Sequence, residues 1–347
     1  MESSATRPKT SEVSPYLTIV VSGCNDASRD DLNEGFFQAL RFNHDRLTDA
    51  RVSHEFLFVE WRPLAGRPLL ASLLSARFPD RSPEQLRSVV TDAAYHEALS
   101  LDPRLKRQEF LAKNVGIRRA RGEFILTTNP DICLGPGVVD ALASRSLERG
   151  VLYRAARHDL GCRSDVAIDW SVLEDERNRE LVHEIRPPLF TNAASDFILL
   201  DSGTLRRLRG FNEICRSAKF QIDHNFCFMA NACGVRLEDL GSPVFRLGRG
   251  PRHALGSYWN RPFEAASSDD SRTGNVMYIN EAGWGLGAAP QRALDERTIY
   301  LDFDWRAIGP MVELNRLKEP TSRLSFADLP GVTDCSMAVR EPRRCLI

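Results

Sequence analysis

The sequence predicts an α/β fold: a mostly parallel sheet flanked by helices, followed by a C-terminal extension. Three features point to it. Short apolar, β-branched runs recur at "YLTIVVSG" (16–23), "EFLFVEW" (55–61) and "FILTT" (124–128). Between them lie longer stretches whose apolar residues return at helical spacing. The runs themselves are continuously apolar, the pattern of strands buried on both faces of a parallel sheet.

The totals fit an ordinary globular chain. At 347 residues, 42% hydrophobic and 27% charged, there is material for two domains or one large α/β unit. The 46 basic and 47 acidic residues leave a formal net charge of −1, so no overall field recruits nucleic acid or an anionic membrane. No run approaches the roughly 20 apolar residues of a membrane helix. The eight cysteines, at 24, 133, 162, 215, 227, 233, 335 and 345, form no CxxC pair. They are read as reduced, mostly buried thiols of a cytoplasmic protein.

Taken in order, residues 1–15 are a polar lead-in expected to be disordered. "YLTIVVSG" is the first strand. "SRDDLNEGFFQALRF" is a helix in which Leu32, Phe36, Phe37 and Leu40 share one face. "EFLFVEW" is the second strand and ends on Glu60. Proline- and arginine-rich sequence precedes a weaker third strand at "RSVVTD". "QEFLAKNVGIRRARG" is a helix, and the fourth strand, Phe124 to Thr128, runs into Asn129-Pro130-Asp131. Ligands of such sheets bind beyond the carboxyl ends of the strands. Those ends carry Asp26, Glu60, Asp92, Asn129 and Asp131.

The second half is less regular. "GVLYRAARHDL" reads as a strand and a charged turn, and residues 163–190 as a proline-broken loop or lid. "SDFILLDSGTLRRLRGFNE" reads as a strand, a short helix and a glycine turn. "IDHNFCFMANACG" is an amphipathic helix stopped by Gly234. Two short strands, "VRLEDL" and "PVFRL", follow, then the basic "GRGPRHALGSYW". Beyond about 265 only "RTIYLDFDW" is read as a strand, and Trp284 is read as either a ring-stacking or a core residue. The expected division is 16–150 and 151–262 for two halves of one domain, and 263–347 for the extension.

The run "AKNVGIRRARGEFILTTNPDI" resembles the central segment of GT-A-fold glycosyltransferases of the family 2 type. There an N-x-G-x-x-x-A-x-G helix leads into a strand ending in a metal-binding DXD motif, which falls here on Asn129-Pro130-Asp131. "LTIVVSGCND", "FLFVEW", and "RGFNE" followed by "IDHNF" match further family positions in order, over roughly 16–255. The resemblance implies a Rossmann-like GT-A domain that binds a nucleotide-diphosphate sugar, with UDP-sugars favoured; 16–150 would be its nucleotide-sugar half and 151–262 its acceptor and catalytic half. It implies inverting transfer to a small-molecule or glycan acceptor, with Mn²⁺ or Mg²⁺ assisting. It gives Asp223 the role of general base and Asp131 that of metal ligand. Donor contacts would come from Glu60, Asn114, Asn129 and Asp26. His253, after the glycine- and arginine-rich loop, stands where some members place a third metal ligand, and Arg249 and Arg252 would clamp phosphate oxygens. The sequence departs from the pattern at Asn129, which replaces the first acid of DXD, and at Ile222, which replaces the glutamate of the "ED" pair.

Each residue also has a plainer reading. Asn-Pro-Asp is a favoured turn, aspartate is a common helix cap, and strand-end acids and lone histidines are often structural. Two rival functions stay open. One is a nucleotidyltransferase, which usually has a glycine-rich basic loop after the first strand, where this chain has the acidic "SGCNDASRDD". The other is a degenerate module that binds sugar nucleotides without turnover. Oligomeric state is not legible.

Overall fold

The computed structural model describes residues 14–25, 30–101, 106–161, 168–213, 222–247 and 279–314. In chain order the first half comprises β1 (Leu17–Gly23), α1 (Asp30–Asp49), β2 (His54–Glu60), α2 (Leu70–Arg77), β3 (Leu86–Thr91), α3 (Ala93–Leu99), α4 (Glu109–Arg119), β4 (Phe124–Thr127), β5 (Ile132–Leu134) and α5 (Pro136–Ala143). The second half comprises β6 (Val151–Arg154), β7 (Arg157–Leu160), α6 (Trp170–Glu174), β8 (Arg179–His183), β9 (Ile198–Asp201), α7 (Ser202–Arg207), α8 (Ile222–Ala232), β10 (Arg236–Asp239) and β11 (Val244–Leu247). It ends with β12 (Gln291–Ala293), β13 (Thr298–Leu301) and α9 (Gly309–Leu314).

The main sheet runs β10-β6-β9-β4-β1-β2-β3-β13-β12. It is mainly parallel, with β9 opposed to β4 and β6, and β12 opposed to β13. This is the expected α/β architecture. The physical cause is visible in β1 and β2, every residue of which is buried. Helices must therefore cover both faces. α4 approaches β1 and β2 so closely that a Cβ on Gly116 would lie 2.4 Å from Val20. No helix among the described residues is long and apolar enough to cross a membrane.

A second sheet, ordered β5-β11-β7-β8, sits where β4 and β6 hand the chain on. The "GVLYRAARHDL" segment holds two strands: β6 stays in the main sheet, and β7 pairs with β8 and β11. The expected 163–190 loop contains α6 and β8, and the proline- and arginine-rich stretch contains α2. From the segment expected as an extension, β13 lies beside β3 in parallel register.

This topology gathers the chemistry at one edge. β4 and β6 end there, and antiparallel β9 begins there, so residues 190–196 meet the exits of β4 and β6. α8 starts against the same loop, with Ser195 bonded to Asp223.

Candidate active site

The chain leaves β4 through a tight, polar turn. Ile132 N–H donates to the Asn129 carbonyl at 3.3 Å, and the Thr128 hydroxyl donates to the Asp196 carbonyl at 2.6 Å. The Asn129 side chain is used at both ends. Its amide nitrogen donates to Asp196 Oδ1 at 2.7 Å, and its carbonyl oxygen accepts from Lys113 Nζ at 3.0 Å. Asp131 is nearly buried, and its Oδ2 accepts from Arg246 Nε at 3.1 Å. The Asn-Pro-Asp tripeptide is thus a turn, and it is also the hub of an ion-pair network.

Lys113 comes from α4, immediately before Asn114. Its ammonium has no solvent exposure and donates all three hydrogens, to Glu109 at 2.7 Å, to Asn129, and to the Ser195 carbonyl at 2.9 Å. Arg154, at the end of β6, is also wholly buried. It donates to the carbonyls of Phe190, Asn192 and Ala194, stapling the loop that leads into β9. Such burial costs several kcal/mol per charge unless every donor is met. Here the Arg154 donors are met by backbone carbonyls and those of Lys113 by one carbonyl and two side chains, and burial lowers the Arg154 pKa.

Arg157 on β7 binds Asp159 at 2.7 Å and also contacts Asp196 and His183. Burial alone would raise the Asp196 carboxyl, but Arg157, Arg246 and Lys113 hold it below the usual carboxylate range. Asp131 raises the pKa of Arg246. Asp196, Arg157 and Arg246 are therefore charged at neutral pH.

Asp223 occupies the first turn of α8 and is nearly buried. Its Oδ2 accepts the Ser195 N–H at 2.7 Å. Its other oxygen has no hydrogen-bond partner among the described residues. Ser195 links the expected base to the strand end, since its N–H holds Asp223 while its carbonyl accepts from Lys113, which in turn holds Asn129.

Elsewhere the expected site residues are committed to the fold. Glu60 has no solvent exposure, and its two oxygens accept the N–H groups of Leu70 and Ala71, each at 2.9 Å. It satisfies the start of α2, where Leu69 offers no side-chain cap. Burial raises its carboxyl pKa, and the two N–H groups pull it back. The Asn114 amide donates to the Phe211 carbonyl and to Glu213, and its oxygen accepts the Phe211 N–H. Asn114 thereby holds the "GFNE" turn. Gly210, at φ +70°, leaves room for it, since a Cβ there would lie 2.2 Å from the Asn114 oxygen. Trp284 is a core residue, covered on one side by Arg118 at 5.5 Å. Asp26, Arg249, Arg252 and His253 lie outside the described residues.

No family model and no curated protein sequence matches the chain. Solved structures similar to it include glycosyltransferases. GalNAc-T7 with UDP, GalNAc and Mn²⁺ is 11% identical at TM-score 0.43, covering 70% of this chain and 46% of that one. The mannosyltransferase PcManGT from Pyrobaculum calidifontis, in complex with GDP-Man and Mn²⁺, is 17% identical at TM-score 0.39, over 69% of this chain and 59% of that one. The catalytic domain of Drosophila β1,4-galactosyltransferase 7, in complex with xylobiose, is 11% identical at TM-score 0.33, over 85% and 98%. The chain thus spans about half the length of the first two.

The residues at the β4 exit do not fit a divalent cation as they are arranged. Among the described residues no group of three or more His, Cys, Asp or Glu side chains could hold a metal ion. Asp131 offers the one carboxylate of the tripeptide, and it already carries the Arg246 guanidinium. The Asn129 oxygen, the second hard donor, already takes an ammonium. A divalent ion at this turn would face both cations. Of the network, Lys113, Asp196 and Arg246 had no signal in the sequence beyond the position of Lys113 in the "AKNVG" run.

Proposed function

We propose that the chain is a glycosyltransferase that moves a sugar from a nucleoside-diphosphate sugar, with UDP-sugars favoured, to an acceptor hydroxyl with inversion. The observation that carries this reading is the Asp223 carboxylate. One of its oxygens is fixed by Ser195 and the other has no hydrogen-bond partner among the described residues, at the edge where β4 ends. The ordered motif resemblance supports the same assignment. In a single displacement, the acceptor oxygen attacks the anomeric carbon and gives its proton to Asp223. The bond from that carbon to the diphosphate oxygen breaks, and its electron pair leaves with the diphosphate. Fixing one carboxylate oxygen through a backbone N–H aims the other without neutralising it, as a general base requires.

A nucleotidyltransferase is disfavoured by the acidic sequence after β1. A binding module without turnover is disfavoured by the second Asp223 oxygen, which has no hydrogen-bond partner among the described residues, whereas a purely structural acid would have both oxygens bonded. The test is a transfer assay with UDP-, GDP- and dTDP-sugars, chosen by thermal shift and run beside Asp223→Asn. Binding of all donors without release of nucleotide would leave the binding module standing.

A further inference from the structure

The leaving diphosphate gains negative charge as the sugar departs, and something positive must receive it. Four cations meet at the β4 exit. Lys113 spends its three hydrogens on Glu109, Asn129 and Ser195. Arg154 spends its donors on three loop carbonyls. Arg157 is taken by Asp159, Asp196 and His183. Arg246 differs. Its Nε is held by Asp131 at 3.1 Å, its side chain is 28% exposed, and its two terminal nitrogens have no hydrogen-bond partner among the described residues.

The backbone fixes this cation as well. On β11, Arg246 is in register with Ile132 of β5, and Leu247 N–H donates to the Asp131 carbonyl at 2.8 Å. The guanidinium is therefore anchored at the strand end that would otherwise bind metal. A planar fork with two free N–H₂ groups matches the oxygens of a phosphate. Asp131 orients the fork through Nε and leaves its outer edge available.

We propose that Arg246, positioned by Asp131, binds the diphosphate of the donor and receives its charge in place of a divalent cation. The inference rests on the glycosyltransferase reading and assigns its leaving-group site. Lys113 and Asn129 are the supporting shell: the ammonium occupies the Asn129 oxygen and the Asn129 amide holds Asp196 Oδ1, so neither oxygen is left for a metal.

Titration calorimetry of the full chain with UDP, GDP and inorganic pyrophosphate, in EDTA and then in Mn²⁺, tests it. Binding of a nucleoside diphosphate in EDTA is expected, changing less than about threefold on adding Mn²⁺. Arg246→Gln should weaken that binding at least tenfold in EDTA, and Arg246→Lys should recover part of it, with melting curves showing that both variants fold. If the variants fail to fold, the comparison of EDTA with Mn²⁺ on the parent protein still decides. Binding that requires Mn²⁺ would overturn the inference and leave the sugar-nucleotide reading intact. No binding of any probe in either condition would overturn both.

Discussion

Ser195 donates its backbone N–H to Asp223 Oδ2 at 2.7 Å, and its carbonyl accepts the Lys113 ammonium at 2.9 Å. One residue of the loop before β9 thus couples the first turn of α8 to the exit of β4. In the proposed mechanism the base and the leaving-group side are held by this one residue, as positioning two reacting groups requires.

The first prediction follows from that coupling. Asp223→Asn keeps an oxygen to accept from Ser195 and removes the basic lone pair. Turnover should fall by about 10²–10⁴-fold while the melting temperature and donor affinity stay at parental values. A variant that still transfers sugar at the normal rate would end the general-base assignment.

Asn129→Asp would complete the DXD pattern, and the structure expects it to be harmful. The amide nitrogen now donates to Asp196 at 2.7 Å, and a second carboxylate would face the first. Urea unfolding should show a loss of about 1–3 kcal/mol, the cost of replacing a buried hydrogen bond by a repulsive contact. Equal or greater stability would mean that Lys113 alone can balance both acids.

Glu60→Gln tests the acid at the end of β2. Glutamine keeps one acceptor but turns an N–H₂ toward an N–H of α2, so stability should drop by about 1–3 kcal/mol. Calorimetry with UDP should give parental affinity, since both oxygens already serve Leu70 and Ala71. A parallel loss of UDP affinity would show that the carboxylate also reaches a nucleotide base.

Glu213 carries the pH prediction. Burial pushes its carboxyl from 4.5 up to about 7, opposed by the Gly285 N–H and the Asn114 amide. The folded state therefore holds this proton more tightly than the unfolded chain. The stabilisation is complete below about pH 4.5 and is lost as pH rises through about 7, a change of about 3 kcal/mol. Glu213→Gln keeps the acceptor oxygen and cannot titrate. Its stability relative to the parent should rise between about pH 5 and about pH 8, measured by urea melts. A constant difference across that window would refute the shift.

Much of the fold was legible because β1 to β4 are buried on both faces and announce themselves as apolar runs. α2 was not, because its N-terminus is satisfied by Glu60 from 10 residues away and Leu69 gives no local cap. β8 was missed because its side chains alternate between half-buried and exposed and its pairing with β7 is what defines it. In the candidate site, motif order pointed to Asn129, Asp131 and Asp223. Arg246 was not, because its partner Asp131 lies 115 residues earlier and only the second sheet brings them together. Asp196 had no local mark either: its contacts with Asn129 and Arg157 arise from the return of β9 against β4.

The pairing of β13 with β3 has a consequence for any shortened version of this chain. β3 has β2 on one side, and its other side is completed only by Thr298–Leu301, more than 200 positions later in the sequence. A fragment ending near residue 262 would keep every residue of the candidate site within the described region. It would also present the backbone of Leu86–Thr91 as an open template, with Val89 and Val90 fully apolar beside it. Such an edge recruits strands from other molecules. Self-association of the fragment would then reflect the missing edge cover and not a native oligomer.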